Sequence, residues 1–256
     1  MIDARAIVSP QAELAEDVSV GPFSIIGAQV SIGRGTVVGP HAVIAGPTRI
    51  GEGNHIFQFA SIGDAPQDKK YRGEPTRLEI GARNVFREFC TVNRGTTHDK
   101  GVTRIADDNL FMAYTHVAHD CEIGSNVVLA NCATMGGHVA IGDWVQLGGL
   151  SAIHQFCKIG AHAFVGGGAI VTRDVPPYVM VTGNPAEPHM VNAEGLKRRG
   201  FTAEQIRNIR NAYRILYRSD LKLVEAVKQL TALAADQIEL RAFVDFIDSS
   251  TRSLVR

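Results

Sequence analysis

His116, His119 and Asp120 stand together in the segment His116-Val117-Ala118-His119-Asp120-Cys121, and eighteen residues beyond His119 is Gly137, followed by His138. An unperturbed imidazole titrates near pH 6.5, so His119 can take a proton from an alcohol at neutrality. Gly137 has no side chain and can bare its backbone N–H to the oxyanion that develops at an attacked carbonyl. With Asp120 beside the base, these are the components of an acyl-transfer site. They can cooperate only if residues eighteen apart become neighbours in space.

A repeat of six supplies that geometry. An apolar residue recurs without interruption from Val8 through Leu14, Val20, Ile26 and onward to Ile62, and again from Ile105 through Phe111, Val117 and Ile123 to Val171. With 45% of the chain apolar, so long a series in one phase does not arise by chance. Six matches neither a helix nor a simple alternation, so each hexapeptide reads as a short strand and a turn in a solenoid. The residue after the apolar one is usually Gly or Ala, read as easing the turn. Three hexapeptides per coil make a triangular prism, in which positions eighteen apart stack at about 4.8 Å.

The stacking turns sequence into columns. His119, Gly137 and Gln155 form one, Asp120, His138 and Phe156 the next, and His116 stands over Thr134 and Ala152 on the adjoining strand. His41, His55, His98, His162 and His189 are expected to be solvated turn histidines.

The repeat breaks twice. Its phase would bury Asp68 and Glu74, so residues 64–79 are expected to loop out. Ile105 follows Val92 at a spacing one residue longer than two repeats, so residues 95–102 form a second, shorter excursion. Long loops inside a regular solenoid are where function concentrates.

Beyond Val171 the prolines at 176, 177 and 185 punctuate the chain, and the repeat is expected to stop. The reading divides the chain into a β-solenoid over residues 1–184 and a small α-helical domain over 185–256. Thr202 and Gln205 make a capping box for a helix with Ile206, Ile209, Tyr213 and Leu216 on one face. Leu221 to Leu233 and Phe243 to Ile247 mark two more helices, closing the solenoid's open end.

Lys plus Arg and Asp plus Glu both total 26, which points away from nucleic acid and lipid-headgroup surfaces. No run approaches the length of a membrane span, and the first residues lack a signal-peptide pattern, so a soluble, cytoplasmic chain is expected. Cys90, Cys121 and Cys157 occupy inward slots and Cys132 a turn, a pattern of packing rather than disulfides or zinc.

The chain closely resembles the UDP-N-acetylglucosamine O-acyltransferases that begin lipid A synthesis. The motifs that carry the resemblance are Gln58-Phe59-Ala60-Ser61-Ile62-Gly63, Gly73-Glu74-Pro75-Thr76-Arg77, the His116 to Cys121 segment, Ala152-Ile153-His154-Gln155-Phe156, and the run from Asn192 to Phe201. The resemblance implies a left-handed parallel β-helix and a homotrimer with sites between neighbouring prisms. It implies transfer of an (R)-3-hydroxyacyl chain from acyl carrier protein to the glucosamine 3-hydroxyl. His119 would be the general base, Asp120 its orienting neighbour and the Gly137 amide the oxyanion donor.

By the same resemblance, Asp68, Lys70 and Gln67 would hold sugar and acyl groups, and His116, His138 and Gln155 the nucleotide side. Asn192, Glu194, Arg198 and Arg199 would read uridine and phosphate, a task suited to guanidinium groups. Gly167 corresponds to the position that sets acyl length, where a glycine implies a chain of about twelve to fourteen carbons. No metal or diffusible cofactor is implied, the donor arriving on the carrier's phosphopantetheine. One departure is Asn93, where many members carry His; it leaves open whether the acceptor is oxygen or an amine.

Three other readings stand beside this one. A γ-class carbonic anhydrase would use His116, His119 and His138 as zinc ligands, although a three-residue spacing turns the first two rings to different faces. A related N-acyltransferase carries a uridine-binding domain for which residues 1–7 leave no room. A silent scaffold would tolerate loss of His119. Arg72, Arg77, Arg94 and Lys100 are a candidate docking surface for an acidic carrier.

Overall fold

The computed structural model describes residues 1–250 and 252–256. Its hexapeptides are short parallel strands that build three faces of a left-handed prism. The first face runs from Ile7–Val8 to Ile170–Val171, the second from Glu13–Leu14 to Lys158–Ile159, and the third begins at Ser19–Val20. Register steps by eighteen through the later coils, with Val117 beside Met135 and Met135 beside Ile153. From Val20 onward the recurring apolar residues point inward and are almost fully buried, and Phe86 and Phe111 stack at 4.6 Å in the core.

The glycine after each apolar residue serves a purpose other than the expected one. A Cβ on Gly33 would meet the Gly51 carbonyl carbon at 2.6 Å, and one on Gly142 the Ala161 nitrogen at 2.6 Å. Glycine is thus needed because successive coils approach closely there. The left-handed backbone falls two residues later instead, at Phe23, His41, Tyr114, Asp120 and His138.

The first excursion is shorter than expected, and the second is shifted back by one residue. The chain leaves after Ser61–Asp64 and resumes at Arg77–Ile80, leaves again after Thr91–Asn93 and resumes at Val102–Ile105. Arg77, Glu79 and Val102 are held in the second-face ladder because Leu78 and Ile80 pair with Thr48 and Ile50. Ile80 thus lies one coil after Ile50, so the first excursion occupies a single turn of the prism.

The solenoid also outlasts Val171. Val175 bridges to Ile159, and Val179–Thr182 pairs parallel to Phe164–Val165. Pro176 and Pro177 fall in the turn between them, where no ladder hydrogen bond is asked of them. The chain then folds back as the antiparallel strand Glu187–Val191, so the helical part starts later than residue 185.

Among the described residues four α-helices follow: α1 (Ala193–Arg198), α2 (Ala203–Tyr217), α3 (Leu223–Leu233) and α4 (Arg241–Ser249). The Thr202–Gln205 capping box is present in full, and α2 buries Ile206, Ile209, Ala212, Tyr213, Ile215 and Leu216. The cap is tied to the prism where Leu254 bridges to Asp174 and the Tyr178 hydroxyl donates to the Glu239 carbonyl at 3.0 Å. Cys90, Cys121 and Cys157 are buried free thiols. Among the described residues no helix is long and apolar enough to cross a membrane.

Candidate active site

Both excursions leave the prism on the edge between the first and second faces, and the next turn on that edge is the one that carries His119. The two loops therefore wall the His119 turn on one side. His119 Nδ1 lies 2.9 Å from Asp120 Oδ2. The Thr96 amide donates to both Asp120 oxygens at 2.9 and 3.0 Å, and the Thr96 hydroxyl donates to Oδ2 at 2.6 Å. The Asp120 amide donates to the Thr103 hydroxyl at 2.8 Å.

Burial alone would raise the Asp120 carboxyl, but the hydrogen bonds from His119 and Thr96 outweigh it and hold the group below its ordinary range. An ionised, immobile carboxylate can only accept, so it keeps the proton of neutral His119 on Nδ1 and leaves Nε2 as the basic nitrogen. The His119 side chain is 14% exposed and the Asp120 side chain fully buried.

One coil further, Gly137 packs its bare Cα against the His119 ring: an added Cβ would lie 2.6 Å from Nε2. Among the described residues, no group accepts a hydrogen bond from the Gly137 N–H. His138 donates its amide to the His119 carbonyl at 3.0 Å, stacks on Phe156 at 4.3 Å and stands edge-on to His119 at 5.0 Å. Its Nδ1 lies 2.8 Å from Asp99 Oδ2. His119, Asp120, Gly137 and His138 are thus brought into one cluster, as their columns predict.

On the first excursion, the Lys70 amide donates to Asp68 Oδ1 at 2.9 Å and lowers that carboxyl. Gln67 and Lys70 are exposed. Arg94 straps the two loops together, donating to the Gly63 carbonyl at 2.9 Å and to the Tyr71 hydroxyl at 3.1 Å. Arg77 is paired with Glu79, and Lys100 with Glu122. Arg72 donates to the Lys69 carbonyl at 2.7 Å, so all four cations expected to dock a carrier already have partners within the chain. Asn93 is buried and donates to the Ala65 carbonyl at 3.0 Å, so it ties down the first loop's base.

The remaining residues do not join this cluster within one chain. His116 points along the first face, with Nδ1 2.7 Å from the Thr91 hydroxyl, and burial, then the neighbouring His119, lowers its pKa. Gln155 is exposed, and its carbonyl accepts from Arg252 at 2.7 Å. Asn192 caps α1 by accepting from the Gly195 amide, and donates to the His162 carbonyl at 2.9 Å. The Arg199 guanidinium lies 5.2 Å from the Trp144 ring centroid, with Nη1 buried and unpaired. Trp144 and His162 belong to the edge between the second and third faces, so Asn192 and Arg199 stand at a different edge from His119. Glu194 and Arg198 are exposed on α1. Gly167 lies on the third edge, where a Cβ would find only the Gly149 carbonyl at 3.3 Å.

His162 is not the solvated residue expected. It sits between Trp144 and Tyr178 with Phe201 edge-on at 5.2 Å, and burial, aided by Arg199, pushes its pKa down to about 4. Thr96, Asp99 and Thr103 escaped the sequence reading. Their only signal was the second excursion's place beside the His119 turn.

The metal ligand set His116, His119 and His138 does not form. The donors that converge, within 4.8 Å, are those of His119, Asp120 and His138, and the Asp120 oxygens are already taken by Thr96 and His119. A groove of about 950 Å³ lies along the second face between Arg49, Glu79, Arg104 and Lys158, away from the imidazoles.

Residues 174–255 match the profile described as Udp N-acetylglucosamine O-acyltransferase, Domain 2, and residues 11–46 and 103–137 match the bacterial transferase hexapeptide. The chain is 53% identical to the acyl-[acyl-carrier-protein]–UDP-N-acetylglucosamine O-acyltransferase of Thiobacillus denitrificans, covering all of this chain and 99% of that one. It is 54% identical to that of Paraburkholderia phymatum over the same shares. The solved UDP-N-acetylglucosamine acyltransferase of Francisella novicida superposes with a TM-score of 0.98 at 42% identity, covering 100% of this chain and 94% of that one. The Moraxella catarrhalis enzyme gives 0.98 at 45%, over 100% and 99%. With a turn that sets His119 on Asp120 and likeness running the length of the chain, this protein belongs to the UDP-N-acetylglucosamine O-acyltransferase family of hexapeptide-repeat enzymes.

Proposed function

We propose that this acyltransferase moves an (R)-3-hydroxyacyl group from the phosphopantetheine thioester of acyl carrier protein to the 3-hydroxyl of UDP-N-acetylglucosamine, the opening reaction of lipid A synthesis. The observation that carries the reading is the His119–Asp120 pair packed on Gly137. His119 Nε2 takes the hydroxyl proton as the sugar oxygen attacks the thioester carbon. The Gly137 N–H accommodates the oxyanion. Collapse breaks the C–S bond, and the imidazolium returns its proton to the departing sulfur. The donor brings its own thioester, so no further cofactor enters. Relatives above 50% identity are O-acyltransferases, which supports oxygen as the acceptor atom, and Asn93, turned to Ala65, gives no reason to expect an amine.

The working unit is a homotrimer. His119, Arg199 and Gly167 occupy three different edges of one prism, so a single substrate meets all three only where prisms adjoin. The edge between third and first faces is suited to burial: Phe23, His41, Phe59, Phe89 and Tyr114 stack at 4.7 to 5.3 Å, and Leu150 is 70% exposed. In that assembly Asp68, Lys70 and Gln67 line the sugar and acyl side, and His116, His138 and Gln155 the nucleotide side. Asn192, Glu194, Arg198 and Arg199 approach from the neighbour. The reaction belongs in the cytoplasm, where acyl carrier protein delivers its chains.

Mass spectrometry of products from UDP-N-acetylglucosamine and a ladder of hydroxyacyl carriers tests the reading. A base-labile ester is expected from the wild type, and a loss of turnover of about 10²- to 10⁴-fold from His119→Ala. An amide product, or undiminished turnover without the ring, overturns it.

A further inference from the structure

The second excursion touches the catalytic turn twice. Thr96 holds Asp120, and Asp99, thirty-nine residues before His138 in sequence, places its Oδ2 2.8 Å from His138 Nδ1. The cluster therefore contains two imidazoles arranged alike, each with a carboxylate on Nδ1 and its Nε2 left for the substrate. The His138 ring has little freedom otherwise. Phe156 lies flat against it at an interplanar angle of 6°, the His119 ring meets it edge-on, and its side chain is 13% exposed.

A neutral imidazole carries its proton on one nitrogen or the other, and a carboxylate at Nδ1 accepts only from the tautomer protonated there. Nε2 is then a bare lone pair. Among the described residues no donor reaches it, and the nearest polar atom of the cluster, Asp120 Oδ2 at 3.9 Å, is an acceptor beyond hydrogen-bond distance. We infer that Asp99 is a positioning residue that fixes the His138 tautomer, so that His138 reads a hydrogen-bond donor of the nucleotide sugar, a hydroxyl or an amide N–H, rather than a phosphate oxygen. The inference rests on the reading of His138 as a substrate contact. Phosphate recognition is left to the guanidinium groups of α1 and its C-terminal neighbour Arg199.

Long-range 1H–15N correlation on ¹⁵N-histidine-labelled full-length protein reads the His138 tautomer directly, and steady-state kinetics read its use. The wild type should show Nδ1 protonated and Nε2 bare. Asp99→Ala should move the proton off Nδ1 in part of the population and raise KM for UDP-N-acetylglucosamine about five- to tenfold, with kcat within about twofold. Asp99→Asn retains an acceptor oxygen and should restore most of both. A wild-type His138 protonated on Nε2, or an Asp99→Ala protein with tautomer and KM unmoved, overturns the inference. A tautomer that moves while KM holds overturns His138 as a substrate contact. Neither outcome touches the acyl transfer itself, which His119→Ala tests separately.

Discussion

The Cβ that Gly137 lacks would stand 2.4 Å from Cε1 of His119 and 3.0 Å from its Nδ1. No real Cβ tolerates such a distance, and the Gly137 backbone is not in the left-handed region. This glycine is therefore required by the ring that rests on it rather than by its own conformation. Gly137→Ala should fold normally and push the imidazole out of line with Asp120. A fall in kcat of about 10²- to 10³-fold is expected, comparable to loss of an oxyanion donor. Near wild-type turnover in a folded Gly137→Ala protein would separate His119 from the chemistry.

Thr96→Val removes the hydroxyl that donates to Asp120 Oδ2 and keeps the Thr96 amide. The carboxyl is held below its usual range against burial, so one donor fewer lets its pKa climb. The native ionised state is stable above the unfolded value near 3.8 and is lost as pH falls through the lower folded value. The valine variant should thus lose activity at a higher pH on the acid limb of kcat/KM, with kcat down about tenfold at neutrality. An acid limb that stays where it was would mean that Thr96 does not govern this carboxylate.

Much of this was legible in the sequence, for identifiable reasons. A strict period of eighteen converts spacing into contact, so the approach of His119, Gly137 and His138 followed from counting. The excursions' ends were misjudged because charged Glu79 and Arg77 look like loop residues, yet they face outward on a strand whose Leu78 and Ile80 are buried. His162 was misread because the residues that cover it, Tyr178 and Phe201, come from beyond the apparent end of the repeat. Asp99 could not be found by counting, since loop residues lie outside the period.

Gly167 is exposed on the edge between third and first faces, and a Cβ there would meet only the Gly149 carbonyl at 3.3 Å. A larger side chain therefore needs the Gly149 backbone to give by a few tenths of an ångström and otherwise meets open space at this exposed position. Gly167→Met should keep the protein folded and shift donor preference from about twelve to fourteen carbons toward ten, each lost CH₂ contact weakening binding by about 0.8 kcal/mol. Competition among hydroxyacyl carriers of graded length measures it. Undisturbed preference for the longest donor would remove Gly167 from the acyl path.

His162 joins the solenoid to the helical cap, taking the Asn192 side chain on its carbonyl while its ring is covered by Tyr178 and Phe201. In the unfolded chain an imidazole titrates near 6.5. Here burial, with Arg199 adding to it, pushes the value down to about 4. The folded state therefore resists the proton that the unfolded state accepts, and stability present in full above pH 6.5 is lost progressively as pH falls toward 4. His162→Gln removes the titrating group while keeping a polar side chain. Thermal unfolding midpoints of the two proteins across pH 4 to 7 should diverge, the wild type falling more steeply within that window. Curves that run parallel would show that the ring takes up a proton without disturbing its surroundings.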